Sequence, residues 1–188
     1  MVFQPDLLRA DMTPKGLTYI NHFISNEEEN ELIKHLKSIN WQKINMYGVE
    51  TKRRVAHFGL DYSYESRILT PTSLAPDFLR PLLIKSAQAL HVGVDDLKET
   101  LISHYPVGAP IGWHKDSPQF ESLIGVSLGS DCLMKFRRIM PQGTLRFNLV
   151  LERCSAYILK GEARWQWQHH IPPVKYDRYS ITMRTLKV

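Results

Sequence analysis

From about Glu99 to its end, the chain is a succession of short apolar runs cut apart by turn residues, and this pattern limits the fold most. The runs lie at 100–105, 111–114, 123–128, 132–136, 145–151, 156–159, 167–171 and 179–186. Gly108, Gly112, Gly129, Gly143, Gly161 and several prolines punctuate them. Segments this short, bounded by turn formers, predict strands. Strands at this density predict an antiparallel sandwich, jelly roll or barrel.

The first half reads differently. Residues 17–23 (LTYINHF) alternate well enough for a strand. Ser25-Asn26-Glu27-Glu28 then has the capping-box form, in which the serine hydroxyl accepts the Glu28 amide hydrogen and the Glu28 carboxylate reaches back. Leu32, Ile33, Leu36 and Ile39 follow as one apolar stripe at helical spacing. Pro76 and Asp77 open a second helical stretch, apolar at Phe78, Leu79, Leu82, Leu83, Ala87 and Leu90, with Pro81 in its first turn. No composition shift parts these helices from the strands. A chain of 188 residues buries a core without disulfides or structural metal, so one domain, 1–188, is expected.

No apolar run approaches the roughly 18 residues that cross a bilayer, so no membrane association is expected. The start, MVFQPDLLRADM, has neither a basic lead nor an apolar stretch for export. Cys132 and Cys154 are the only cysteines and are expected as free thiols, which points to the cytoplasm. Lys and Arg exceed Asp and Glu by 24 to 19, a mild excess that permits a polyanionic partner without demonstrating one. It concentrates at Lys135, Arg137, Arg138, Arg146, Arg153 and Lys160, against Glu152 alone. The bland reading of that stretch is a solvated strand face.

Three groups of residues carry chemistry. His114 and Asp116 lie two apart, so in extended chain both leave one face and can bind one metal ion. A second histidine would complete the two-imidazole, one-carboxylate set of non-haem iron oxygenases. Alone, His-x-Asp is more often a surface pair. His169 and His170 are the candidates for the third ligand, and in a strand they point to opposite faces. One core and one surface histidine is the bland alternative. In Arg178-Tyr-Ser-Ile-Thr-Met-Arg184, Arg178, Ser180, Thr182 and Arg184 share a polar face. Tyr179, Ile181 and Met183 share an apolar face that is expected to pack in the sandwich. Arginine grips a carboxylate through a planar fork, so the polar face suits an anionic ligand. A solvent-facing edge strand is the alternative.

Taken in order, Ser103-His-Tyr105, His114-x-Asp116, Val126-Ser-Leu-Gly-Ser130, Gly161-Glu-Ala-Arg164-x-x-x-x-His169 and Arg178-Tyr-Ser-x-Thr-x-Arg184 resemble the AlkB branch of the Fe(II)/2-oxoglutarate dioxygenases. The likeness covers about residues 101–186. The first half matches loosely, through the strand–helix entry and Arg-Arg-Val-x-His-Phe-Gly at 53–59.

The resemblance implies an α+β, mainly β fold, a double-stranded β-helix (jelly-roll) core with N-terminal buttressing helices. Residues 99–188 would be the dioxygenase core and 1–98 a helical extension, with about 40–66 covering the site as a nucleotide-recognition lid. Fe(II), 2-oxoglutarate and O2 are the implied cofactor and cosubstrates. His114, Asp116 and His169 would hold Fe(II). His169 is preferred to His170 because the family pattern Arg-x-x-x-x-His-x-Ile fits Arg164, His169 and Ile171. Arg178 would pair with the distal carboxylate of 2-oxoglutarate and the Tyr105 hydroxyl would bond the same group. Arg184 would sit near the other carboxylate and the metal. Ser103 stands where the family often has Asn.

The implied reaction oxidises 2-oxoglutarate to succinate and CO2 and hydroxylates a carbon held nearby, typically an alkyl group on a nucleobase nitrogen that then leaves as an aldehyde. Demethylation in DNA or RNA repair, or modification of a tRNA base, would follow. The lid stretch holds Trp41, Tyr47, Arg53, Arg54, His57, Phe58, Tyr62 and Tyr64. Arg53 and Arg54 are expected on phosphates, and Trp41, Phe58 or Tyr62 stacked on an extruded base. The implied partner is an alkylated single-stranded nucleic acid or tRNA, met by a monomer. The same chemistry on a protein or small molecule, or a non-catalytic nucleic-acid-binding module, are the alternatives.

Overall fold

Each of the apolar runs of the second half forms a strand. In chain order the elements are β1 (Leu17–Ile20), α1 (Asn26–Leu36), β2 (Gln42–Met46), β3 (Val49–Phe58), β4 (Leu60–Tyr62), β5 (Leu69–Pro71) and α2 (Arg80–Leu90). Then come β6 (Leu97–Tyr105), β7 (Ile111–His114), β8 (Phe120–Leu128), β9 (Cys132–Met140), β10 (Gly143–Leu151), β11 (Ala156–Leu159), α3 (Gly161–Trp165), β12 (Gln168–Ile171) and β13 (Arg178–Leu186). The computed structural model describes residues 13–46, 49–62 and 68–187, so Tyr47 and Tyr64 of the expected lid lie outside the described residues.

The larger sheet has seven strands in the order β1-β11-β8-β13-β6-β3-β2, the smaller has four in the order β10-β9-β12-β7, and β4 pairs with β5 as a separate ribbon. From β6 onward the chain passes back and forth between the two sheets, which makes the expected jelly roll. One apolar cluster, including Leu123, Met134, Phe136, Leu151, Leu159 and Ile171, joins the two sheets. A second, including Leu32, Leu36, Leu82, Leu90, Ile102 and Ile181, joins the helices to the outer side of the larger sheet.

That arrangement reverses one expectation. In β13 the polar residues Arg178, Ser180, Thr182 and Arg184 face the space between the sheets. Tyr179, Ile181 and Met183 pack under the helices instead. The helices need an apolar surface to cover, and the space between the sheets holds a polar cavity. Nor is β13 an edge strand, because β6 and β8 pair with it on either side.

The first half is built into the same sheet. β1 pairs with β11 at one end and β3 pairs with β6 towards the other. Much of the stretch expected as a lid is therefore sheet, because β2 and β3 extend it at its edge. Helix α1 begins as its sequence dictates: the Glu28 amide donates to Ser25 Oγ at 3.1 Å and the Ser25 amide donates to Glu28 Oε2 at 2.7 Å. Buried Glu29 ties this helix to the β8–β9 turn by accepting from the Gly129 amide at 2.8 Å, and it pairs with Arg153. A 3-10 turn, Asp77–Leu79, leads into α2, with proline tolerated in the first turn. Cys132 and Cys154 are free thiols. Among the described residues no helix is long and apolar enough to cross a membrane.

Candidate active site

A cavity of about 70 Å³ opens between the sheets. Strand register brings its imidazoles together: His114 on β7 and His169 on β12 are direct cross-strand partners, with ring centroids 4.2 Å apart. Asp116 follows the end of β7, and its Oδ2 lies 3.5 Å from His169 Nε2. His114 Nδ1 lies 2.8 Å from the Gly112 carbonyl, to which it can only donate, so Nε2 keeps its lone pair for the cavity. His170 takes the other side of β12, where its Nδ1 donates to the Ile111 carbonyl at 2.7 Å and its ring lies against Trp113.

Protonation states follow from burial and neighbours. Burial pushes His169 down to about 3, and His114 beside it adds to the shift. Burial likewise lowers His114, against the pull of Asp116. For Asp116 burial opposes ionisation, but Arg184, then His169 and His114, outweigh it and hold the carboxyl well below the usual range. Arg184 donates to Asp116 Oδ1 from Nη2 at 2.6 Å and Nε at 3.0 Å, and to Glu99 Oε2 from Nη1 at 2.5 Å. His57 Nδ1 stands 3.2 Å from the other Glu99 oxygen. A buried chain of polar contacts therefore runs from His57 through Glu99 and Arg184 to Asp116.

Two neutral imidazoles and an ionised carboxylate are the states that a divalent metal requires of its ligands. Among the described residues no trio of His, Cys, Asp or Glu stands in finished ligand geometry. The donor types, their convergence and their protonation fit Fe(II) nonetheless, with Asp116 held by Arg184.

The second half of the cavity fits an anion. Arg178 is 1% exposed, and its Nη2 donates to Ser127 Oγ at 3.0 Å. Its Nε and Nη1 are buried without a partner. Orphaned guanidinium donors at this depth are costly unless a ligand satisfies them, and their planar geometry suits a carboxylate. Arg178 lies over the Tyr105 ring, 4.9 Å from its centroid, and Tyr105 is its cross-strand partner. Ser103, next along the same face, accepts from Arg53 Nη1 at 3.1 Å.

The residues expected to bind substrate divide. Arg53 and Tyr62 line the cavity. Arg53 is 5% exposed and reaches Ser103, which corrects the expectation of a phosphate contact on a lid. Neighbouring side chains of β3 point to opposite faces, so Arg54 is exposed on the other side and Phe58 packs with the helices. Trp41 also packs on that side, near His104 and Tyr179. Arg54, Phe58 and Trp41 are thus set apart from the cavity. Glu99 and His57 line it too; Glu99 was not singled out from sequence, and His57 was named in the lid stretch without a role. The signal was present: Glu99 shares the face of Ser103 and Tyr105 on β6, and His57 that of Arg53 on β3.

A jelly roll that sets two imidazoles and a carboxylate beside unpaired arginine donors defines a metal-dependent oxygenase with an anionic cosubstrate. The comparisons agree. The model of the 2OG-Fe(II) oxygenase superfamily matches residues 16–185, and the chain belongs to that superfamily, within which it is AlkB-like. Members use Fe(II), 2-oxoglutarate and O2.

The chain is 33% identical, over 87% of its length, to the mouse tRNA (carboxymethyluridine(34)-5-O)-methyltransferase ALKBH8, and spans 25% of that protein. It is 27% identical, over 92% of its length, to the Arabidopsis thaliana alkylated DNA repair protein ALKBH8 homolog, and spans 55% of it. In fold it is similar to OsALKBH1, with a TM-score of 0.69 at 14% identity over 92% of this chain and 97% of the other. It is also similar to a Pseudomonas putida prolyl-4-hydroxylase, with a TM-score of 0.63 at 13% identity over 95% and 96%.

Proposed function

We propose that this chain hydroxylates an alkyl group on a nucleobase of RNA, with tRNA as its natural substrate class. The observation that carries the reading is a single buried cavity in which His114, Asp116 and His169 face the unpaired donors of Arg178. The names of the mouse and Arabidopsis relatives, which concern tRNA and alkylated DNA, support a nucleic-acid substrate.

In this reading His114, Asp116 and His169 hold Fe(II), and Arg178 binds the distal carboxylate of 2-oxoglutarate beside Tyr105. When bound, Fe(II) and 2-oxoglutarate supply the activation of O2 and the oxidation of a C–H bond, leaving succinate and CO2. The chain contributes orientation and exclusion of water. Arg184 fixes Asp116 and keeps it ionised, and Glu99 and His57 fix Arg184 in turn. Tyr62 and Arg53 close the side from which a base enters. If the oxidised carbon is bonded to nitrogen, the resulting N–CH2OH collapses to N–H and formaldehyde.

The test is parallel incubation of the Fe(II)- and 2-oxoglutarate-loaded protein with native tRNA, a methylated oligodeoxynucleotide and a methyl-lysine peptide, each read by mass spectrometry. Mass change confined to tRNA nucleosides is expected. Turnover of the peptide with none of either nucleic acid would overturn the reading.

A further inference from the structure

Of the six cations that the sequence gathers between residues 135 and 160, two are neutralised by carboxylates and a third is tied to a backbone carbonyl. Arg138 pairs with Glu162 at 3.0 Å, Arg153 pairs with Glu29, and Lys160 Nζ donates to the Leu90 carbonyl at 2.7 Å. Lys135, Arg137 and Arg146 enter none of the ion pairs among the described residues. All three lie on the outer face of the smaller sheet, the side away from His169.

Register packs them tightly. Arg146 of β10 is the direct cross-strand partner of Arg137 of β9, whose partner on β12 is Gln168. In the next row Asn148, Lys135 and His170 are partners. Like charges directly opposite one another destabilise a sheet, and among the described residues no ion pair offsets either arginine. An anion placed between the two guanidiniums removes that cost.

Two rings, Trp113 and His170, lie among these cations, tilted by 33° to each other. The Arg137 guanidinium sits 4.4 Å from the centroid of the Trp113 ring, and the His170 ring lies 4.9 Å from it. Arg137 Nε donates to Gln168 Oε1 at 2.7 Å, which fixes the guanidinium in place. A fixed guanidinium with a second one directly across the strand pair, next to an aromatic ring, supplies the elements of a single-strand nucleic-acid surface. Strand β7, which carries Trp113 outward and His114 inward, is the edge strand of its sheet. A polynucleotide with one base in the cavity need only pass around that edge to reach the outer face.

We infer that this outer face is a second contact for the RNA substrate, with Arg137, Arg146 and Lys135 on its phosphodiester backbone and Trp113 against a base outside the cavity. The inference rests on the nucleic-acid reading above. It adds a site that would select long RNA over isolated nucleosides.

The test measures binding of fluorescein-labelled tRNA to the full chain by fluorescence anisotropy across a salt series. It compares wild type with Arg137→Gln/Arg146→Gln and Arg137→Lys/Arg146→Lys. The Gln pair takes two cations away from the phosphate backbone. It is expected to bind roughly tenfold more weakly near 50 mM salt, and its log–log salt slope to fall by about 1.4. The Lys pair should keep most of the slope, because it keeps the charges. Succinate release without RNA should be equal in all three proteins, which checks that the Gln pair is folded. Equal affinity and slope for wild type and the Gln pair would overturn the inference and leave the nucleic-acid reading standing. Absence of tRNA binding by the wild type at low salt would overturn both.

Discussion

Replacing Arg178 by Met tests the anion half of the cavity through two opposite effects. The side chain is 1% exposed, Ser127 satisfies one nitrogen, and Nε and Nη1 have no partner. A hydrogen bond to a charged group is worth about 1.5–3 kcal/mol, so two of them give roughly 3–6 kcal/mol of binding to a carboxylate. At 1.4 kcal/mol per decade, Arg178→Met should weaken 2-oxoglutarate binding on the order of 10²–10⁴-fold. Arg178→Lys should fall between, since it keeps the charge and loses the fork. The ligand-free Met variant should unfold at a higher temperature than wild type, because a buried and incompletely paired cation has been removed. Titration calorimetry of 2-oxoglutarate into the Mn(II)-loaded protein reads the first effect, and thermal unfolding with and without 2-oxoglutarate reads the second. A Met variant that binds 2-oxoglutarate within about threefold of wild type would refute the reasoning, since the worth of two charged hydrogen bonds would then be missing.

Three further outcomes are expected. His169→Ala should lose Mn(II) in equilibrium dialysis and His170→Ala should keep it, since only the former lines the cavity; the reverse would mean that the register at β12 is misassigned. Arg53→Ala should impair steady-state turnover while Arg54→Ala leaves it unchanged with a nucleoside substrate, because only Arg53 reaches Ser103 and the cavity; equal effects would contradict that placement. Metal-free protein should lose stability on acidification. Burial carries His169 from 6.5 down to about 3, so between those values the unfolded chain binds a proton that the folded chain refuses. Asp116, held below its ordinary 3.8, adds a loss in the same direction at lower pH. Urea midpoints that stay level from about pH 7 to about pH 4 would contradict the burial of His169.

The sequence revealed most where period and chemistry coincide. Alternation in β13 separated Arg178, Ser180, Thr182 and Arg184 from Tyr179, Ile181 and Met183, and the structure keeps that division. Alternation cannot say which face looks inward, because helices can cover either side of a sheet. The apolar face was therefore assigned to the wrong layer. Alternation left His169 and His170 open, the resemblance to the AlkB pattern at Arg164 favoured His169, and the structure places the two on opposite faces. The hairpin of β2 and β3 went unread because Lys52, Arg53 and Arg54 interrupt any apolar pattern there. Arg53 is nonetheless buried, against the usual rule for arginine, because Ser103 accepts from it inside the cavity. Glu99 escaped notice for the same reason, a buried carboxylate whose partners, Arg184 and His57, are remote in sequence.

The central claim is that one cavity couples consumption of 2-oxoglutarate to oxidation of an RNA base. Counting succinate and oxidised nucleoside in one reaction with tRNA tests it most directly. About one succinate per oxidised nucleoside is expected, with neither product from Asp116→Ala. Succinate released at the same rate with and without tRNA, and no change in the mass of any nucleoside, would contradict it.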